Sequence, residues 1–313
     1  MRKMNNQISA MVLLFLYLCS SVLSCSSKKN GTGPEPERSW RTITTQHCMN
    51  AVHGTSKSDV WAVGREGLAM HYDGNDWQTY WAGTYSTLNC VASVSRNNVY
   101  AGAELGRVPH FDGNRWTVQS LGWKFIFDLC AWPSGYVVAG AAQAIFTLED
   151  TAWVEVHNSF QDFHSIWGVS ESSIYALGSD LLFHYDGHAW EEKQDLSQYS
   201  INDIWGTSAS NLYGVGQRGA VYHYNGVTWE SMDADSTIYS LYSIWGNSSR
   251  NIYAVGAQGI LLHFDGNRWN MLESGTDLRL YGVWVSSSGD VFAVGGRGAD
   301  EPGIILHYGD HEE

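Results

Sequence analysis

The sequence predicts an all-β fold, a seven-bladed β-propeller of four-stranded blades. Three observations carry that prediction: a pattern repeated seven times at a period near forty, four short apolar segments in each copy, and termini that complement each other. The composition agrees, with 44% hydrophobic, 13% aromatic and only 16% charged residues, and with 33 Gly and 15 Trp among 313 residues. Abundant glycine and aromatic residues with few charges suit many short strands joined by tight turns.

The clearest copy of the repeat reads Ser243-Ile244-Trp245-Gly246, then Asn251-Ile252-Tyr253-Ala254-Val255-Gly256, then Ile260-Leu261-Leu262-His263-Phe264-Asp265-Gly266, then Trp269. The position of Trp245 is filled in turn by His53, Ala92, Cys130, Trp167, Trp205, Trp245 and Trp284, at spacings of 39, 38, 37, 38, 40 and 39. Four short apolar segments at such a period are the signature of a propeller blade.

Within each copy, the Ile-Trp pair cut off by Gly and Ser predicts a short first strand and a turn. The Ile-Tyr-Ala-Val segment predicts a second strand ending at Gly. A third apolar run closes in Asp-Gly or Asn-Gly, which predicts a hairpin whose central residues both take positive φ. Trp269 and its equivalents open the fourth strand. No stretch has a helical period longer than one or two turns.

The seventh copy stops after His307-Tyr308-Gly309-Asp310 and lacks its fourth strand. The missing piece stands at the other end as Ser39-Trp40-Arg41-Thr42-Ile43-Thr44, with Trp40 lying 37 residues before Trp77. The N-terminal strand, about residues 39–45, is therefore predicted to complete the last blade and hide two sheet edges.

Ahead of the repeats, Arg2 and Lys3 precede an apolar run from Met11 to Leu18. That run is too short for a membrane span and fits a signal-peptide core. Val22-Leu23-Ser24-Cys25 resembles a bacterial lipobox, which implies cleavage after residue 24 and acylation of Cys25 (a palmitate-type anchor). Ser26 is not the Asp that would imply inner-membrane retention, so the resemblance points to the outer membrane. Residues 25–38 are polar and rich in Lys, Gly and Pro, and read as a flexible tether. The expected organisation is signal peptide 1–24, tether 25–38 and propeller 39–313.

The formal charge is −14, and two units more negative once Arg2 and Lys3 are removed. So acidic a surface repels phosphate backbones, and no basic patch is present, which excludes nucleic acid as an expected partner. Cys48, Cys90 and Cys130 occupy three different repeat positions. An odd number leaves at least one thiol unpaired, and a chain with this much core needs no disulfide scaffold; buried free thiols are expected.

By its repeat, Ile-Trp-Gly-x-Ser, Ile-Tyr-Ala-Val-Gly, then His-Tyr-Asp-Gly-x-x-Trp, the chain resembles bacterial propeller-repeat lipoproteins over roughly residues 39–310. It resembles kelch, tectonin and WD-repeat proteins in architecture only. The resemblance implies exported binding or scaffolding, and it carries no catalytic residues to transfer.

Residue types present in nearly every blade are expected to serve the blade. His71, His110, His184, His223, His263 and His307 share one repeat position, fan out around the ring and cannot converge on a metal; a recurrent buried hydrogen bond is expected. Trp77, Trp116, Trp153, Trp190, Trp229 and Trp269, and the set Trp167, Trp205, Trp245 and Trp284, are expected to pack along and between blades. The Asp-Gly-x-x-Trp turns lack the spacing of the sialidase Asp-box and read as turns. No metal, cofactor, nucleophile motif or phosphate-binding loop is expected.

What varies among the blades is the candidate for function. The connections between blades, and the loops joining second and third strands, share one face and differ in sequence. Trp81, Trp123, Phe160 and Tyr199 are expected to form a partner-binding face there, and a longer loop at residues 295–303 extends it. Three residues before the Trp245 position, and one later, stand Asn50, Asn89, Asp128, His164, Asn202, Asp203, Tyr242 and Tyr281. These are expected to ring the mouth of the central channel, where amides and phenols suit a hydroxyl-rich ligand. The leading expectation is a non-enzymatic, monomeric, lipid-anchored envelope protein that binds a protein partner through the variable face. The alternative is a carbohydrate-binding propeller using the channel mouth. A remote third is a hydrolase or lyase using Asp128, His164 and Asp203.

Overall fold

A computed structural model describes residues 38–234, 238–298 and 301–310. The expected signal peptide, Cys25 and the tether up to residue 37 lie outside these residues, as does part of the 295–303 loop. Seven four-stranded antiparallel sheets make up the described body. Their innermost strands are Met49–Ser56, Leu88–Ser95, Ile126–Ala131, Ser165–Ser170, Ile201–Ser208, Leu241–Ser248 and Arg279–Val285. Each of these touches its neighbours on both sides and the last touches the first, so the ring is closed.

The closure is the predicted one. Arg38–Thr45 pairs antiparallel with Gly303–Asp310, in register from Arg38 opposite Asp310 to Thr45 opposite Gly303. The strand starts at Arg38, within the stretch read as tether. Trp40 packs on Tyr308 with ring centroids 5.2 Å apart. Arg38 bridges Asp290 at 3.5 Å and Asp310 at 3.7 Å, which adds charge pairing to the strap.

The repeated residues behave as blade furniture. In five blades the shared histidine bonds the residue that opens the second strand: Asp59, Asn98, Ser173, Asn211 or Asn251. The imidazole also lies against the aromatic residue of that strand, stacked in blades 1, 2 and 6, as His110 is on Tyr100 at 4.3 Å, and tilted in blades 4 and 5. In the seventh blade His307 stacks on Phe292 at 4.0 Å and faces Asp290 at 3.7 Å. In blades 1, 2, 4, 5 and 6 the fourth-strand tryptophan sits directly across the ladder from a Tyr or Phe of the third strand, as Trp77 does from Tyr72 at 5.4 Å; in blade 3, Trp153 faces Leu148. Of the innermost tryptophans, Trp205 packs over Gly246 of the next blade and Trp284 over Gly54. Aromatic burial of this kind stabilises the ring.

Two turns differ from the sequence expectation. At the Asp-Gly hairpins only the glycine has positive φ, +106° at Gly74. Asp73 stays in ordinary backbone and its carboxylate accepts the N–H groups of Asn75 and Asp76 at 2.9 and 3.0 Å, so four residues close the loop in place of two. Asp side chains make such local turns readily. Conversely, the loops joining second and third strands are uniform in four blades, although their sequences differ. Glu66-Gly67, Leu105-Gly106, Arg218-Gly219 and Gln258-Gly259 all place both residues at positive φ, from 56° to 73°. Variation on that face therefore comes chiefly from the connections between blades.

A repeated β-bulge shapes the inner strands. Ladder register skips one residue between Met49 and Ala51, and the same skip recurs at residues 89, 127, 202, 242 and 281. The glycine ending the second strand makes room for it: a Cβ at Gly256 would stand 2.1 Å from the Ser240 carbonyl oxygen, and one at Gly64 2.2 Å from that of Cys48.

Candidate functional site: the channel mouth and the connection face

In a regular strand, consecutive side chains point to opposite sides. The bulge breaks that rule and re-aims the extra residue. This is why Asn202 and Asp203, adjacent in sequence, both line the central channel. All eight residues expected at the mouth, Asn50, Asn89, Asp128, His164, Asn202, Asp203, Tyr242 and Tyr281, line one cavity of about 350 Å³. Phe127 fills the bulge position in blade 3, and His164 precedes its strand.

The structure also shows what most of these groups are bonded to. The amide N–H of Asn50 donates to the Leu88 carbonyl at 2.9 Å, Asn89 to Ile126 at 3.0 Å and Asn202 to Leu241 at 2.7 Å. His164 Nε2 lies 3.3 Å from the Ile201 carbonyl. Each bond runs to the next blade. The channel edge of an innermost strand has no ladder partner, so its backbone groups need side chains or water.

The carboxylates do the reciprocal job. Asp128 accepts the N–H groups of Leu129 and of Ile166 in the next blade, both at 2.8 Å. Asp203 accepts from Ile204 at 2.9 Å, from the Ser165 hydroxyl at 2.8 Å and from Ile244 in the next blade at 2.9 Å. Burial pushes Asp128 up to about 8, with the charge of Asp203 adding to it and the two N–H donors opposing. Burial likewise raises Asp203 to about 6 against its donors. Both carboxyl groups considered for acid–base chemistry thus have their oxygens engaged, each with one oxygen holding the next blade.

Deeper in the channel, His53 stands where blades 4 to 7 carry Trp. Its Nδ1 accepts the Ser93 N–H at 3.1 Å and its ring meets the edge of Trp245 at 5.3 Å. Burial drives its pKa down to about 4, so it is neutral. Cys48, Cys90 and Cys130 are all free thiols. Burial, with Asp128 nearby, pushes Cys130 up to about 12. Among the described residues, no group of three or more His, Cys, Asp or Glu could hold a metal ion.

The aromatic residues of the connections divide. Trp123 is 85% exposed, Phe160 98%, Tyr85 80% and Trp81 55%. Trp81 and Tyr85 lie together, ring centroids 5.3 Å apart. Tyr199 differs: it is half-buried, packs on the core and meets Tyr222 edge-on at 5.0 Å. Phe125 stacks on Phe127 at 6.3 Å, linking the connection beside Trp123 to the channel lining. Sequence reading passed over Leu105, which is 46% exposed in its turn, and Arg279, which faces Tyr281 and Tyr242 at the rim. For Arg279 the available signal was its place two residues before the bulge tyrosine.

No protein-family profile and no curated protein matches the sequence. Solved structures do match. YCF48 bound to D1 peptide aligns with a TM-score of 0.70 at 18% identity, over 86% of this chain and 94% of that one. YCF48 from Cyanidioschyzon merolae aligns at 0.70 and 15% identity, over 86% and 98%. The WD40 β-propeller domain of Doa1 aligns at 0.70 and 12%, over 90% and 99%. Likeness at such identity shows the β-propeller fold and nothing finer.

Proposed function

We propose that this chain is a non-enzymatic binding or scaffolding propeller, lipid-anchored at the cell envelope through Cys25, which recognises a protein partner by its inter-blade connection face. The observation that carries the reading is the exposure of Trp81, at the end of the last strand of blade 1, and of Tyr85, Trp123 and Phe160, on the connections between blades 1 to 4. Large aromatic residues stranded in water cost free energy, and they are the side chains that anchor protein interfaces. The similar structure of YCF48 bound to D1 peptide supports a peptide or protein partner by analogy of fold. The carboxylates that an enzyme would need are engaged in inter-blade hydrogen bonds, which favours binding over catalysis.

The test is crosslinking and mass spectrometry of the lipidated protein extracted from its own membrane. A stoichiometric protein should copurify, and a Trp81→Ala/Trp123→Ala variant should lose it while its melting temperature stays within a degree or two. Undiminished capture by that variant would rule out this face. The anchor is tested separately: Cys25→Ala should move the protein from the membrane to the soluble fraction.

A further inference from the structure

At the bulge position three blades carry Asn, one carries Phe127, and blades 6 and 7 carry Tyr242 and Tyr281. The two phenol rings stack on each other, 5.7 Å apart and inclined by 21°. In ring order they are flanked by Asn202 on one side and Asn50 on the other. Each of these amides spends an N–H on the next blade's carbonyl. That bond fixes the amide plane, and Oδ1 of each accepts nothing from the protein while staying open to solvent among the described residues. The result is an aromatic platform between two rigidly held hydrogen-bond acceptors, on the wall of a cavity of about 350 Å³. A cavity of this size falls within the roughly 300–1,000 Å³ range of small-molecule sites.

Arg279 adds a charge. Its guanidinium stands beside Tyr281 and Tyr242 at the rim, and no carboxylate among the described residues pairs with it. The acidic groups of the channel, Asp128 and Asp203, have their oxygens occupied by backbone N–H groups and by the Ser165 hydroxyl. Arg279 is therefore a cation free to meet a ligand at the Tyr242–Tyr281 rim.

We infer that the channel mouth between blades 5 and 1 binds an acidic sugar of the uronic-acid class. Tyr242 and Tyr281 take the apolar face of a pyranose, Asn202 and Asn50 accept its hydroxyl protons, and Arg279 pairs with its carboxylate. Fixed acceptors beside a flat apolar surface match a ring bearing several hydroxyls better than a peptide end, whose hydroxyl donors are few. This site is separate from the connection-face reading and does not depend on it.

The test is titration calorimetry of the mature chain with digalacturonate and dimannuronate, with a neutral digalactoside and with a tripeptide bearing a free carboxylate. At least one uronate should bind saturably at one site per chain, ten-fold or more tighter than the digalactoside. Arg279→Gln, a change of an exposed side chain, should bring the acidic and neutral sugars to within about two-fold of each other. Tyr281→Ala should weaken uronate binding ten-fold or more, while Trp123→Ala should leave it unchanged. Absence of saturable uronate binding, equal affinity for the neutral sugar, binding of the tripeptide alone, or an Arg279→Gln variant with undiminished preference would each overturn the assignment.

Discussion

Oδ2 of Asp128 in blade 3 accepts the backbone N–H of Ile166 in blade 4 at 2.8 Å. The same repeat position continues round the ring. The Ser165 hydroxyl accepts Ile204 N–H at 3.4 Å, Asp203 accepts Ile244 N–H at 2.9 Å and Ser243 accepts Val283 N–H at 3.4 Å. Blades 3 to 7 are thereby laced together at the channel. The equivalent residues of blades 1, 2 and 7, Ala51, Cys90 and Gly282, have no oxygen to offer.

This lacing gives Asp128 a predictable pH signature. Its carboxyl sits at about 8 in the fold against 3.8 for the ordinary group, chiefly through burial. The folded state holds the proton more tightly, so the contribution of Asp128 to stability is full below the ordinary value and is lost as pH rises through about 8. Asp128→Asn keeps an acceptor for Ile166 and removes the charge. Thermal melts should show the variant gaining on the native chain at pH 8.5 and gaining less at pH 5; an equal shift at both would contradict this.

Asp290 at the ring closure has the opposite sign. Burial works against its charge, but His307, Ser288 and the cations Arg38 and Lys57 outweigh it and hold the carboxyl at about 2, below the ordinary 3.8. Its contribution is present above the ordinary value and is lost as pH falls through about 2. Asp290→Asn should lower the melting temperature at pH 7, and the deficit should shrink between pH 4 and pH 2. A deficit independent of pH would show that Asp290 acts by packing alone.

The bulge depends on the glycine behind it. Gly256 has φ of −167°, which any residue adopts, so the constraint is space: a Cβ would meet the Ser240 oxygen at 2.1 Å. Gly256→Ala should cost about 1–3 kcal/mol, the range for overpacking. Gly298→Ala, where a Cβ meets nothing within 4 Å, should stay within about 0.5 kcal/mol. Denaturant unfolding of the two variants makes the comparison.

Removing the strap should expose a sheet edge. Without residues 38–45, the strand Gly303–Asp310 loses its outer partner along its whole length and keeps only Val291–Gly296 on the inner side, and unpaired edges template association. The truncated chain should melt at lower temperature and form oligomers by light scattering, and a synthetic peptide of residues 38–45 should reverse both. A truncated chain that stays monomeric and equally stable would show that the ring closes without it.

The blade count and the strap were legible because both rest on periodicity: Trp40 precedes Trp77 by one repeat, and the six shared histidines mark their strands unaided. The bulge was not legible, because it is a property of ladder register and leaves no residue type of its own; Asn, Phe and Tyr all occupy it. Asn50 and Asn202 therefore read correctly as channel lining, while their bonds to the next blade stayed hidden. The turns at Glu66-Gly67 and Leu105-Gly106 share a backbone but only one letter, so their uniformity read as variation. Tyr199 and Trp123 look alike as loop aromatics. They differ because Tyr222 lies within reach of Tyr199, a tertiary fact that no local pattern encodes.

The central claim, that the connection face is where this propeller meets a protein, is tested most directly by photo-crosslinking in the native envelope. A photoreactive phenylalanine analogue would replace Trp123 or Phe160 on that face, and Val227, 78% exposed in a hairpin on the opposite face, would serve as the control. The account predicts one discrete crosslinked protein from positions 123 and 160 and none from 227. No adduct at 123 and 160, or the same adducts at all three positions, would contradict it.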